Sequence, residues 1–462
     1  MGMLDLEMAL RPLTRRRFSQ PERVIVLTRY PEPGLTKTRL IPAVGAEAAS
    51  RIQDQLTKRA LGVAMKYGGH SACDIEVRFA AGDRIRMENR FGLDKTYRRQ
   101  GEGDLGARLV DAFGVAFAEG AERVLVIGSD CPDLKPSLLS QANDALAEAD
   151  VVLGPAQDGG YYLIGLRSAR PELFEDIEWG SEDVLQQTRQ RAREVGLKIH
   201  ELKTLRDIDT PEDLILLRRR AREFDNVFVR RRSGVVSVIV PTLNEAEHLG
   251  NAIKWLVGID AVEVIVADGG SSDGTVEIAR RLGAKVVVAA PSRARQMNAG
   301  AALASGDVLL FLHADTILPD DFVDHVRQVI RGGSIAGAFE LTIDGSHAAY
   351  RLIEWMVRLR SRYLHMPYGD QAIFVSAEHF YRMEGYPNWP LMEDVDLCRR
   401  LRARGRIGRA SASVQTSARR WSRLGIVKTT VINLCCLVGY RLGISPFKLK
   451  RWYDGGVDQP TS

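Results

Sequence analysis

The sequence predicts two tandem α/β domains with mixed, mainly parallel sheets. Three observations carry this expectation. The chain has 462 residues, too many for one hydrophobic core and suited to two domains. The stretch from Val236 to Thr316 holds three β-branched apolar runs, in VSVIVPTLNE, VEVIVADGGSSDGT and SGDVLLFLHADT, each stopping at polar or acidic residues. The first half repeats the theme: a run at Val24–Leu27, then VLVIGSD ending at Asp130, then VVLGPAQDGGYYLIGL with Asp158 in a Gly-rich turn. Runs of roughly four to eight such residues, bounded by Gly, Pro, Asn or Asp, read as buried strands.

Composition sets the class. The chain is 45% hydrophobic and 27% charged, as in a folded globular protein. Its five cysteines show neither a CxxC pair nor disulfide spacing, so a reducing, cytoplasmic interior is expected. Residues 1–22 carry acids where a signal peptide needs an apolar core, and read as a disordered leader. The net charge of +5 is unevenly spread. Between Arg399 and Tyr453 there are 14 Lys or Arg and no Asp or Glu, which leaves 50 basic and 59 acidic residues elsewhere. That local excess calls for an anionic partner, either a nucleoside diphosphate or an anionic membrane surface. No nucleic-acid motif accompanies it, so nucleic acid is not expected.

The first domain is expected over 23–217. In TRYPEPGLTKTRL two prolines and a glycine force a loop, and Lys37 and Arg39 stand at a helix start, a phosphate cradle or a basic surface loop. Asp130 and Asp158 either share a divalent cation or serve as turn aspartates. Cys131 has no nearby histidine to activate it and is read as packing. DIDTPEDL reads as a strand end and then a helix capped by Thr210, with Pro211 at its first position. The charged run 218–234 is taken as a linker, 235–453 as the second domain and 454–462 as a tail.

In open α/β sheets ligands bind past the carboxyl ends of the strands. Thr242, Asn244, Glu245, Asp268, His313 and Asp315 should therefore converge on one crevice. Asn244 is expected to cap the following helix, and Arg295, in SRARQMNAG, to reach a diphosphate. GDQAIFVS (369–376) reads as a strand whose Asp370 and Gln371 face an acceptor. Trp389 is a sugar-stacking platform or a packing residue. Glu393 and Asp394 open a helix that Gly405 ends. TTVINLCCLVGY (429–440) is uncharged but shorter than the roughly 20 residues that a spanning helix needs. It either lies in a membrane interface, with contact through 419–451, or packs as a core helix.

VSVIVPTLNE, ADGGSSDGT, the acid after a hydrophobic strand, MEDVDLCRRL and SARRW occur in this order. Together they resemble the family 2 glycosyltransferases of the GT-A fold, the nucleotide-diphosphosugar transferases. FLHADT and SARRW bring the chain near the subgroup named for arsenosugar biosynthesis. In the first half RYPEPGLTKTRL, GSDCPDL, GPAQDGGYYLIGL and DIDTPEDL resemble a bacterial GT-A-like family. That family is related to cofactor guanylyltransferases and is found beside the enzymes above.

The resemblance implies an inverting, metal-dependent glycosyltransferase. Its donor would be a nucleotide-diphosphate sugar and its acceptor a small molecule or lipid. Pro241, Thr242 and Glu245 would contact the nucleotide, and Asp268 a uracil-like base. Asp315 would hold Mg²⁺ or Mn²⁺. Arg295, Arg419, Arg420 and Trp421 would take the diphosphate, and Asp394, with Glu393 beside it, would act as base. In the first half it implies nucleotide or nucleotide-sugar binding through Lys37, Arg39, Asp130 and Asp158, with nucleotidyl transfer open because the glycine-rich opening loop is absent. The alternatives are transfer to a carotenoid acid or polyprenyl lipid at the inner face of the cell membrane, and a non-catalytic nucleotide-sugar-binding scaffold.

Overall fold

The computed structural model describes residues 20–454 except 72, 221–222, 225–226, 229, 346, 365–366 and 420–424. The expected leader up to residue 19, the tail from 455, and Arg420 and Trp421 lie outside the described residues. The chain forms two compact units. The first comprises the chain up to Lys37 with Ala49–Asp209, and the second Thr38–Ala48 with everything from Thr210. The units thus divide at Thr210, before Leu217, where the first domain was expected to end.

In the first unit seven strands form one sheet. They are β1 (Glu22–Arg29), β2 (Cys73–Ala80), β3 (Thr96–Arg99), β4 (Arg123–Gly128), β5 (Val151–Pro155), β6 (Tyr161–Leu166) and β7 (Ile199–Glu201), in the order β3-β2-β1-β4-β6-β5-β7. Only β6 runs antiparallel to its neighbours. The GPAQDGGYY stretch is the hairpin between β5 and β6. Gly159 there has a φ of +92°, and a Cβ would stand 1.8 Å from the Glu182 carbonyl oxygen, so no side chain fits.

In the second unit eight strands form the sheet. They are β8 (Arg232–Thr242), β9 (Val262–Asp268), β10 (Lys285–Val288), β11 (Gly306–Phe311), β12 (Thr316–Ile317), β13 (Ala336–Asp344), β14 (Phe374–Ser376) and β15 (Ile407–Ser417), in the order β10-β9-β8-β11-β14-β13-β15-β12. Apart from the added β12, this is the first sheet's order with the same parallel and antiparallel pairs. The two halves are one topology used twice, and Asp130 after β4 corresponds to Asp315 after β11. Both sheets are mixed and mainly parallel, as expected.

The β-branched runs form strands because alternate residues fill opposite faces of a covered sheet. Val236, Val238 and Val240 of β8 enter one core with Leu310 of β11 and Phe322 and Phe339. Each such side chain contributes roughly 1.5–3 kcal/mol by burial.

Thr210 caps the short helical turn that follows it, reciprocally with Asp213, and Pro211 occupies its first position, as read from sequence. The segment taken as a linker is partly core. Arg218 is buried and donates to the carbonyls of Ala302 (2.7 Å) and Ala304 (2.8 Å), satisfying the end of helix Arg293–Leu303. Phe224 is buried as well.

Candidate active site

Just past the carboxyl ends of β8 and β11 the second unit has a cleft of about 970 Å³. Pro241, Thr242, Glu245, Asp315 and Arg419 line it. Arg419 follows β15. Its guanidinium donates to Glu245 at 3.0 Å and stands 3.7 Å from Asp315. Burial pushes the Asp315 carboxyl up from its ordinary range, Arg419 pulls it down, and the Glu245 charge adds to the rise. His313 also lines the cleft. Its low-dielectric surroundings, with Arg293 adding, hold its pKa down at about 3, so the imidazole is neutral.

Glu393 and Asp394 line the same cleft and open helix Glu393–Arg402 after Met392 at φ +68°. Asp394 is fixed at both oxygens: Gly369 N–H donates to Oδ2 and Val395 N–H to Oδ1, each at 2.8 Å. A Cβ on Gly369 would crowd His313 Nε2 at 3.2 Å and Asp394 Oδ2 at 3.4 Å, so a glycine lets this backbone approach. Glu393 is buried. Burial and the Asp394 charge push its carboxyl up to about 7, against the pull of Arg293 at 3.8 Å.

Three expected site residues sit elsewhere. Asp268 is buried outside the cleft lining and already takes four donors: Thr242 Oγ1 (3.1 Å), Ser271 Oγ (2.5 Å), and the N–H groups of Gly270 and Ser271 (2.8 Å each). It ties the turn after β9, and a base reaches it only if one donor yields. Arg295 points to Asn388 (3.0 Å) and Glu212 (3.7 Å), and Arg293, two residues earlier, lines the cleft instead. Asn244, at φ +54°, does not cap its helix; it accepts from Ser272 N–H at 2.9 Å, while Asp273 takes the Ala246 N–H at 3.0 Å. Trp389 packs edge-on against Tyr440.

The sequence reading also left residues out of the site. Thr429, Asn433 and Leu437 put one face of helix Ile426–Arg441 into the cleft, and Tyr453 and Asp454 join them. The spacing of four along the uncharged stretch was the available signal. GDQAIFVS is strand only from Phe374, because 369–371 form a tight helical turn.

In the first unit Lys37, at φ +47°, is nearly buried. Its ammonium lies 3.0 Å from Asp130 and from Asp209 and donates to the Ile208 carbonyl at 2.6 Å. Burial alone would lower its pKa, but the two carboxylates outweigh that and hold it at about 12. Lys37 thus serves the unit's own acids, and Arg39 falls in the segment that belongs to the second unit. Asp158 takes the Gly160 N–H at 3.0 Å, a turn contact. Burial, then Asp207 and Asp130, push the Cys131 thiol well up, which suits packing. Among the described residues, no group of three or more His, Cys, Asp or Glu is arranged to hold a metal ion.

Residues 237–387 match the glycosyl transferase family 2, and residues 63–181 match an uncharacterised bacterial family, DUF2064. The second half carries a family 2 glycosyltransferase domain, and the first half a DUF2064 domain. Over 97 residues the chain is 40% identical to glucosyl-3-phosphoglycerate synthase of Mycolicibacterium smegmatis, a match covering 18% of this chain and 32% of that protein. The chain covers 31% to 36% of the length of the curated relatives it matches. Among solved structures, a putative nucleotide-diphospho-sugar transferase from Desulfovibrio desulfuricans G20 is 33% identical, covering 44% of this chain and 89% of its own, with a TM-score of 0.41. Glucosyl-3-phosphoglycerate synthase of Mycobacterium tuberculosis, solved with Mn²⁺, UDP-glucose and phosphoglyceric acid, is 21% identical over 46% of this chain and 80% of its own, with a TM-score of 0.33.

Proposed function

We propose that the second half is an inverting glycosyltransferase that moves a sugar from a nucleoside-diphosphate donor to an acceptor hydroxyl. FLHADT and SARRW support placing it in the subgroup named for arsenosugar biosynthesis. The observation that carries the reading is one cleft lined both by Glu245, Asp315 and Arg419 and by the anchored Asp394. Direct displacement at the anomeric carbon needs a base on the acceptor side and charge neutralisation on the leaving side. Asp394 takes the acceptor's proton. Its two main-chain bonds fix the carboxylate, so little is spent on orienting it. Arg419, with Arg420 and Trp421 beside it in sequence, neutralises the departing diphosphate.

The donor set suits Mg²⁺ or Mn²⁺. A hard cation takes oxygen ligands and is bound by one or two carboxylates, substrate phosphates and water. Asp315 would hold it, with the donor's phosphates completing the shell. When bound, such a cation stabilises charge on the departing diphosphate.

The first half is proposed to bind a nucleotide or nucleotide sugar at the carboxyl end of β4, where Asp130 occupies the position of Asp315. The repeated topology supports this reading.

Peripheral contact with the inner face of a membrane is a further part of the proposal. No helix among the described residues is long and apolar enough to cross a membrane. Val431, Leu434, Val438, Phe447 and Trp452 are exposed, however, with Lys428, Arg441, Lys448 and Arg451 exposed along the same two helices. Salt-sensitive binding to anionic vesicles supports this contact; equal binding to neutral vesicles contradicts its electrostatic part.

The test of the main reading is release of nucleoside diphosphate from a panel of nucleotide sugars by the pure chain with Mn²⁺. Release lost without metal supports it. A chain that binds them without cleaving any is the non-catalytic scaffold, and one that neither binds nor cleaves any contradicts both readings.

A further inference from the structure

Two residues that line the cleft each have a polar atom buried without a hydrogen-bond partner among the described residues, Asp370 Oδ1 and Thr429 Oγ1. Folded proteins pair more than about 90% of such groups, so each calls for an explanation. Thr429 is 1% exposed. A threonine inside a helix can satisfy itself on the carbonyl four residues back. The adjacent Thr430 does so, donating to Ile426 at 2.8 Å, whereas the Thr429 hydroxyl is left for the cleft. Burial pushes the Asp370 carboxyl up from its ordinary range, against the pull of Arg360. The two atoms come from separate elements, the turn Gly369–Gln371 and helix Ile426–Arg441.

Acids outnumber bases among the described residues that line the cleft. They are Glu245, Asp315, Asp370, Glu393, Asp394 and Asp454 against Arg293 and Arg419; Lys450 holds Asp454 at 2.7 Å, and Arg419 donates to Glu245. A phosphate or carboxylate entering here meets like charge in a low-dielectric site. Hydroxyl groups meet acceptors and a hydroxyl that has no partner among the described residues.

We propose that Asp370 and Thr429 form an acceptor subsite for a small polyhydroxylated molecule that bears no anionic group. One acceptor hydroxyl donates to Asp370 Oδ1, a second pairs with Thr429 Oγ1, and a third faces Asp394, which takes its proton. This rests on the glycosyltransferase reading above. It separates the chain from a transferase of phosphorylated acceptors.

The test uses the full chain and a donor chosen by metal-dependent release. Glycerol and sorbitol are compared with glycerol 3-phosphate and sorbitol 6-phosphate, with glycosylated product read by mass spectrometry. The free polyols should be used at least about tenfold better in kcat/KM. Thr429→Val and Asp370→Asn should each raise the acceptor KM about tenfold, a single hydrogen bond's worth. Donor affinity should be unchanged, which also shows that the variants fold, and Thr429→Ser should restore the KM. Preference for the phosphorylated compounds, no transfer to any free polyol while donor cleavage persists, or an unchanged KM in both variants overturns the subsite alone. Absence of any donor binding or cleavage in the parent chain overturns the transferase reading and the subsite with it.

Discussion

Arg419 stands 3.7 Å from Asp315 while it donates to Glu245 at 3.0 Å. The guanidinium thus faces two acids that line the cleft. The side chain is half exposed, so this pair contributes little stability and can be exchanged for a ligand. Arg419→Ala should therefore leave the melting temperature nearly unchanged and weaken nucleoside-diphosphate binding about tenfold or more. Arg419→Lys should recover only part of that, because an ammonium lacks the planar fork. Asp315→Ala should remove the metal dependence of binding. Calorimetry with and without Mn²⁺ reads all three; undiminished Mn²⁺-dependent binding in Asp315→Ala moves the metal site elsewhere, with Asp130 and Asp158 next to test.

Glu393 gives a pH signature. Its carboxyl is raised to about 7 in the fold, above the roughly 4.3 of an unfolded chain. Between these values the native state holds a proton that the unfolded state has lost, so this group's contribution falls as pH rises through the window. Above pH 7 the full penalty applies, on the order of 2–4 kcal/mol. Glu393→Gln cannot ionise and escapes it. Its thermal stability relative to the parent should therefore rise from pH 5 to pH 8. A difference that stays flat across that range contradicts the shift.

Arg218 decides where the halves can be cut. Its bonds to the Ala302 and Ala304 carbonyls are buried, and leaving such acceptors unpaired costs roughly 1–3 kcal/mol each. A fragment starting at Thr210 should unfold at a clearly higher temperature than one starting at Gly234, which lacks Arg218 and Phe224. Equal melting temperatures would return 218–234 to the role of a plain linker.

These residues also show what was legible. Strand ends were legible, because an apolar run must stop where the sheet meets solvent; Asp315 followed directly. Asp394 rested on resemblance, and its anchoring by Gly369 brings together residues 25 apart in sequence, which no local pattern announces. The choice between Arg293 and Arg295 depended on helix phase. Helix Arg293–Leu303 is buried from Ala294 through Ala302 except at Arg295, so it offered little apolar face against which to set that phase. Asp268 looked like a ligand because a lone acid at a strand end does; four protein donors claim it. The common strand order was beyond the sequence, since the antiparallel insertion of β6 and β14 is set by long-range pairing.

The central claim is that Asp394 removes the acceptor's proton. The measurement is the transfer rate and donor dissociation constant for Asp394→Asn and Glu393→Gln. Asparagine keeps the shape and its oxygen can accept one of the two main-chain bonds, but its amide nitrogen cannot accept the other and it cannot take a proton. Transfer in Asp394→Asn should fall by about 10²–10⁴-fold or more with donor affinity little changed, and Glu393→Gln should retain far more activity. Loss in Glu393→Gln with a near-normal rate in Asp394→Asn would make Glu393 the base, and activity in both would contradict the site.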